Sequence, residues 1–183
     1  VLFRSFYRVT GGSTQNKGVI PDIKLVDIYN DEFGERKAKN ALKWDTIPTA
    51  PFKREGSVQP YTVKLTQLSQ QRVALDPQFK YLEERKAISQ KTADQKKVVL
   101  DIDQRRAELI DLEKQTLDAE NQRRKATGQA PYANWESYQA SIDALVESRA
   151  KMKAHLRPSL PEEETFITEA ANVLLDYAKL QGR

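Results

Sequence analysis

From Pro60 to the end of the chain, apolar residues recur at three- and four-residue intervals, and most positions between them are charged or polar. That spacing commits the region to helices that each pack on one narrow stripe. Tyr61, Leu65, Leu68 and Leu75 fall on one face. Asp76-Pro77 then stops one helix and starts the next, because Asp is a good N-cap and Pro suits the first helical position. The second helix should run from Pro77 through Phe79, Leu82 and Ile88. Val98, Val99 and Leu100 form a short apolar break with an extended character. A long helix follows from near Asp103 to just before Gly128, with Leu109, Leu112 and Thr116 inward. After a loop holding Pro131, Tyr132 and Trp135, a shorter helix carries Ile142, Leu145 and Val146. Pro158 and Pro161 precede a last helix, whose first turn holds Glu162, Glu163 and Glu164, favourable at the positive end of the helix dipole. Its expected buried face is Phe166, Ala170, Val173, Leu174 and Tyr177, and Lys179 and Gly182 close it.

The first 60 residues read differently. Phe6 to Thr10 is a run of aromatic and β-branched residues ending at Gly11-Gly12, which predicts a short strand and a turn. Val19, Ile20 and residues 23–28 are expected to be extended, with Pro21 biasing the residue before it to β or polyproline geometry. Residues 29–60 are polar and irregular, broken by Gly34, Pro48, Pro51, Gly56 and Pro60, with one apolar island at Ala41, Leu42 and Trp44. A domain boundary or a connection clinging to the surface belongs there. The opening VLFRS corresponds to the in-frame translation of GTGCTCTTCCGATCT, which resembles a sequencing-adapter end, so residues 1–5 are set aside as an expected artefact. The expected architecture is an α+β fragment: a short β remnant at 6–28, a linker at 29–60 and a mostly α domain at 61–183.

Composition narrows the chemistry. Charged residues make up 31% of the chain and apolar residues 39%, so the core should be modest and the helices well solvated. The chain has no cysteine, which removes disulfides, thiolate catalysis and cysteine-based zinc sites. Thirty basic and 26 acidic residues leave a net charge of +4, but the signs are interleaved, and no basic run alternates with aromatics as single-strand binders require. Nucleic acid is therefore not an expected partner. No apolar run approaches the length of a membrane span.

Each candidate catalytic group has a simpler reading. Gly12 and Gly18 flank STQNK, but a phosphate-binding loop needs Lys and then Ser or Thr after its last glycine, followed by a helix. Here Val19, Ile20 and Pro21 follow instead. Ser13 and Lys17 are four residues apart in a polar turn, where nothing would desolvate the ammonium enough to make it a base. His155, the one histidine, lies beside Lys153 and Arg157 and is expected at the surface near a helix end. Glu83-Glu84 and Glu162 to Glu164 are read as solvated, since acid–base pairs need a cleft that separates their pKa values. No complete catalytic, cofactor-binding or metal-binding set is visible, and no cofactor is expected.

The stretch FYRVTGGSTQNKGVIPDI, residues 6–23, resembles a segment of the carboxy-terminal-processing (tail-specific) serine peptidases, in which a strand carrying FYR enters G-x-S-T-Q-x-x-G-V-x-P-D-I. NALKWDTI at 40–47 is similar to the NALPWD segment of the large Gram-negative members, with Lys43 in place of proline. ITEAANVLLDYAKL at 167–180 resembles their terminal helix. The resemblance implies a periplasmic serine endopeptidase that recognises the C-termini of protein substrates through a PDZ domain and hydrolyses them with a Ser/Lys dyad, in some members with a lipoprotein adaptor. It also implies that the dyad, a supporting glutamine, the PDZ domain and the signal peptide precede Phe6. No catalytic role therefore passes to Ser13, Lys17 or any other residue here. On this reading Gly11, Gly12 and Gly18 supply turn freedom, while Pro21 and Asp22 end the excursion. The competing expectation is a free-standing helical interaction module with no hydrolytic activity.

Overall fold

The computed structural model describes residues 5–27, 38–53, 56–157 and 160–182. Five helices dominate them: α1 (Gln59–Leu75), α2 (Pro77–Ala93), α3 (Ile102–Ala126), α4 (Trp135–Lys151) and α5 (Pro161–Leu180). One turn of 3-10 helix, Ala154–Leu156, lies between α4 and α5.

The helix limits follow the local signals. Asp76 Oδ1 accepts the Gln78 N–H at 2.7 Å and starts α2 immediately after α1 ends. Asp101 Oδ1 accepts from the N–H groups of Asp103 and Gln104, so α3 begins slightly earlier than the spacing alone suggests. Asn134 and Ser137 form a reciprocal capping box at α4. Glu163 Oε2 accepts the Leu160 N–H and pins the entry to α5. Gly128, at φ +74°, lets the chain leave α3 with the Gln129 N–H bonded to the Arg124 carbonyl.

The helices pack as a chain of neighbours. The α2–α3 hairpin forms the main contact, α5 lies along α1 and touches α2, and α4 rests on α3. The core is small: Phe79, Tyr81 and Leu82 from α2 meet Ala119 from α3, with Val73, Ile88 and Phe166 against them. Phe166 meets Phe79 edge to face at 5.9 Å, and Tyr61 meets Tyr177 the same way at 5.4 Å.

Several apolar positions expected inside are outside. Leu75 is 77% exposed, Leu109 54% and Leu174 65%, and Ala170 is also exposed. In α5 the apolar residues straddle two faces. The face that meets α1 holds Phe166, Val173 and Tyr177, but also Glu169 and Asp176, because Arg72 of α1 pairs with both acids. Charge pairing thus takes the place that periodicity assigned to Leu174.

The expected N-terminal strands do not form as strands among the described residues. Tyr7 makes one antiparallel bridge with Ser13, and Gly12 makes one with Thr46. A strand needs a neighbour to satisfy its backbone, and no sheet is present here for residues 6–10 or 19–27 to join. Leu25 and Val26 instead pack against the helical core. Residues 1–4 of the expected artefact, Ile28 of the expected extended run, residues 29–37 and 54–55 of the expected linker, and Pro158 before the last helix lie outside the described residues. The described part of that connection clings to the N-terminal turn. Ser13 N–H donates to the Asp45 carbonyl, Ile47 N–H to Gly11, and Ala50 N–H to Val9. Gly11, at φ +84°, sits so close to the Ile47 carbonyl that a Cβ would collide with it.

Candidate interaction surface in a polar cleft

The most chemically dense part of the molecule is a cleft of about 740 Å³ walled by α2, α3, α4 and α5. Its floor is built on two neighbouring turns of α3 and the first half of α2. Glu120 and Arg123, three residues apart on α3, face the same way and form a fork: Arg123 Nε reaches Glu120 Oε2 at 2.8 Å and Nη2 reaches Oε1 at 2.6 Å. Both side chains are nearly buried, at 8% and 6% exposure. Arg123 Nη1 also donates to Gln78 Oε1 at 3.1 Å, so the guanidinium is held from two helices.

Tyr81 lies between two cations. The guanidinium of Arg123 is 5.3 Å from its ring centroid and that of Arg85 is 5.8 Å away. Burial pushes the Tyr81 phenol well above its ordinary value, and nearby Arg85 only partly offsets this. Tyr138 of α4 is raised as well, again chiefly by burial. Arg85 closes the floor towards α5 through Glu162 at 2.7 Å. The rim carries Tyr132, whose hydroxyl donates to Ser141 Oγ at 2.8 Å and whose ring lies under Arg124. Asn121 holds the backbone of Tyr132 with both its amide groups. Ile142, Leu145 and Val146 line the α4 wall.

The polar groups of the cleft are largely paired with one another. Several of its hydroxyls are engaged: Ser141 accepts from Tyr132, and Thr165 Oγ1 donates to the Pro161 carbonyl. Its arginines carry carboxylate partners, and its aromatic faces and apolar wall are the surfaces a side chain would contact.

A second polar junction secures α5. Arg72 Nε and Nη2 bond both oxygens of Glu169, and Nη1 reaches Asp176 Oδ2 at 2.6 Å. Burial opposes the Glu169 charge, but the Arg72 fork outweighs it and holds the carboxyl below the usual range. The same acids raise Arg72 further above its already high value.

Of the candidate catalytic residues singled out from sequence, Glu162 and Glu164 line this cleft and the others lie elsewhere. Ser13 is buried; its Oγ accepts the Gln15 N–H at 3.0 Å and its carbonyl accepts Trp44 Nε1–H at 2.9 Å. The Lys17 ammonium is 3.4 Å from the Trp44 ring centroid. Lys17 is therefore not a bare loop lysine: Trp44 separates its role from that of Ser13, and each is a packing partner of the 40–47 island. His155 is exposed in the 3-10 turn. Glu83 and Glu84 are exposed, whereas Glu162 is half-buried by Arg85 and so departs from the solvated reading. Among the described residues, no group of three or more His, Asp or Glu side chains is placed to hold a metal ion, and no helix is long and apolar enough to cross a membrane. Sequence reasoning missed Glu120, Arg123, Tyr81 and Arg85. The only signal for them was an acid three residues before an arginine on a long helix, a pattern repeated at the exposed Asp103–Arg106 pair.

Comparison with known proteins bears out the resemblance to the tail-specific proteases, and the matched family range includes the blocks at 40–47 and 167–179. A tail-specific protease of Haemophilus influenzae (strain ATCC 51907 / DSM 11121 / KW20 / Rd) is 38% identical over 109 residues, which cover 57% of this chain. The same match covers 16% of that protein, so the chain corresponds to a small part of the relative's length. A family model described as the C-terminal domain of tail specific protease matches residues 28–179, a range that contains all five helices but for the last residue of α5. The chain belongs to this family of tail-specific protease C-terminal domains.

Proposed function

We propose that the chain is the non-catalytic C-terminal part of a tail-specific serine endopeptidase, a periplasmic enzyme that selects proteins by their C-termini and hydrolyses them with a Ser/Lys dyad. The observation that carries this is the family match across residues 28–179. Residues 6–28 are then the end of the peptidase domain, 29–60 the connection and 61–183 the helical domain, with catalytic and PDZ regions preceding Phe6. The exposure of Phe6, Val9, Val19 and Ile20 supports this reading, because such residues normally lie under a sheet's covering layer. The helical domain holds and shapes the catalytic body, and its cleft is the surface offered to protein substrates or to a lipoprotein adaptor.

The alternative is a free-standing interaction module, favoured by the satisfied, aromatic-lined cleft. The two are separated by the DNA sequence upstream of the Phe6 codon. An open frame encoding a Ser/Lys-bearing peptidase region, with VLFRS absent, supports the enzyme reading. A native start at VLFRS removes it. The purified 183-residue chain should not hydrolyse an unfolded, C-terminally tagged substrate on either reading; hydrolysis would overturn the placement of the dyad upstream.

A further inference from the structure

The connection between α2 and α3 has an unusual surface. Val98, Leu100 and Ile102 are 57%, 98% and 62% exposed, and they cluster at the tip of the hairpin. The backbone there is neither helix nor turn, and among the described residues no backbone hydrogen bond is made by the N–H or C=O groups of residues 96–100. A β-prone run with free donors and acceptors is a template for strand pairing.

Its charge pattern favours pairing with itself. In an antiparallel register centred on Val99, Val99 faces the partner's Val99, Val98 faces the partner's Leu100, and Lys97 faces the partner's Asp101. The opposite charges therefore meet twice, once on each side of the two-fold axis. Asp101 uses Oδ1 to cap α3, which leaves Oδ2 for the incoming ammonium. Acids and bases are mixed around the tip (Asp94, Lys96, Asp103 and Arg105 among them), so a second copy meets no single-sign field, whereas an anionic lipid surface would favour a strongly basic one.

We propose that two copies of this chain associate through residues 97–101 as an antiparallel two-stranded ribbon about Val99. The contact is short and its partners exchange readily, since an isolated two-stranded ribbon is marginal.

The absence of cysteine gives a clean test. Val99→Cys, Leu100→Cys and Val98→Cys each place one thiol in the 183-residue chain, and mild oxidation traps the contact. Directly opposed residues lie within disulfide reach, whereas residues 100 and 100 of the two copies are offset by two positions each way along the strand. Val99→Cys should cross-link with itself at least about tenfold faster than Leu100→Cys does, despite the greater exposure of Leu100. A mixture of Val98→Cys and Leu100→Cys chains should form the mixed dimer in preference to either homodimer. Equal or faster self-linking at position 100 would mean random collision and would overturn the register. A chain that sediments as a monomer at all concentrations, including one that instead binds anionic vesicles through this tip, would overturn the self-pairing. Circular dichroism of each variant confirms that the helices are intact.

Discussion

Among the described residues, Arg72 is the one side chain that ties α1 to α5 through charge, and its removal should loosen the docking of α5. Arg72→Met keeps much of the apolar stem but leaves Glu169 at 4% exposure with no counterion, and Asp176 at 15%. Breaking a buried pair by deleting one partner costs about 3–5 kcal/mol. Arg72 itself is 32% exposed, so solvent screens part of the interaction and the expected loss falls to about 2–3 kcal/mol. For a chain of this size that is a fall of roughly 5–10 °C in midpoint temperature. Urea unfolding followed by circular dichroism measures it. Adding Glu169→Leu to Arg72→Met should recover part of the loss, because it removes the stranded charge. The acid limb gives a second readout. Glu169 titrates below its usual value in the folded chain, so its contribution is present above the unfolded carboxylate pKa of about 4.3 and disappears as pH falls through the lower folded value. Arg72→Met should flatten that part of the pH–stability curve. A loss under about 0.5 kcal/mol, with an unchanged acid limb, would refute the idea that this pairing rather than Leu174 decides how α5 docks.

Asn134→Ala removes the side-chain half of the α4 capping box and should cost about 1 kcal/mol in the same unfolding assay, with fraying confined to α4 in hydrogen exchange. Gly11→Ala forces a Cβ onto the Ile47 carbonyl at a positive φ; fluorescence should report Trp44 released from Ser13 and Lys17, while the helical signal stays intact. Tyr81 and Tyr138 carry raised pKa values, so their stability contribution is whole below the unfolded phenol value of about 10 and is lost as pH rises beyond it. Phenolate absorbance should show both titrating above the ordinary phenol value, and titration of Tyr81 at that value would contradict its burial. His155→Ala should change stability by no more than about 0.5 kcal/mol.

Much of this protein was legible without its structure, and the reason is local. Asp76-Pro77, Pro161 and Gly128 set helix limits through hydrogen bonds and φ restrictions that involve residues a few positions apart. The family was legible for a similar reason, since its signature lies in contiguous strings. Strand formation at 6–10 was not, because pairing depends on a neighbouring strand and not on the residues of the strand itself. Which helix face turns inward was legible for Leu65, Phe79 and Leu82 but not throughout. Periodicity counts hydrophobic residues one helix at a time, and it placed Leu75, Leu109 and Leu174 inside. The tertiary structure buries Glu120, Arg123 and Glu169 instead, because a charge can be buried once its partner is brought to it. Arg72 and Glu169 are 97 positions apart, and only folding brings them within 2.8 Å.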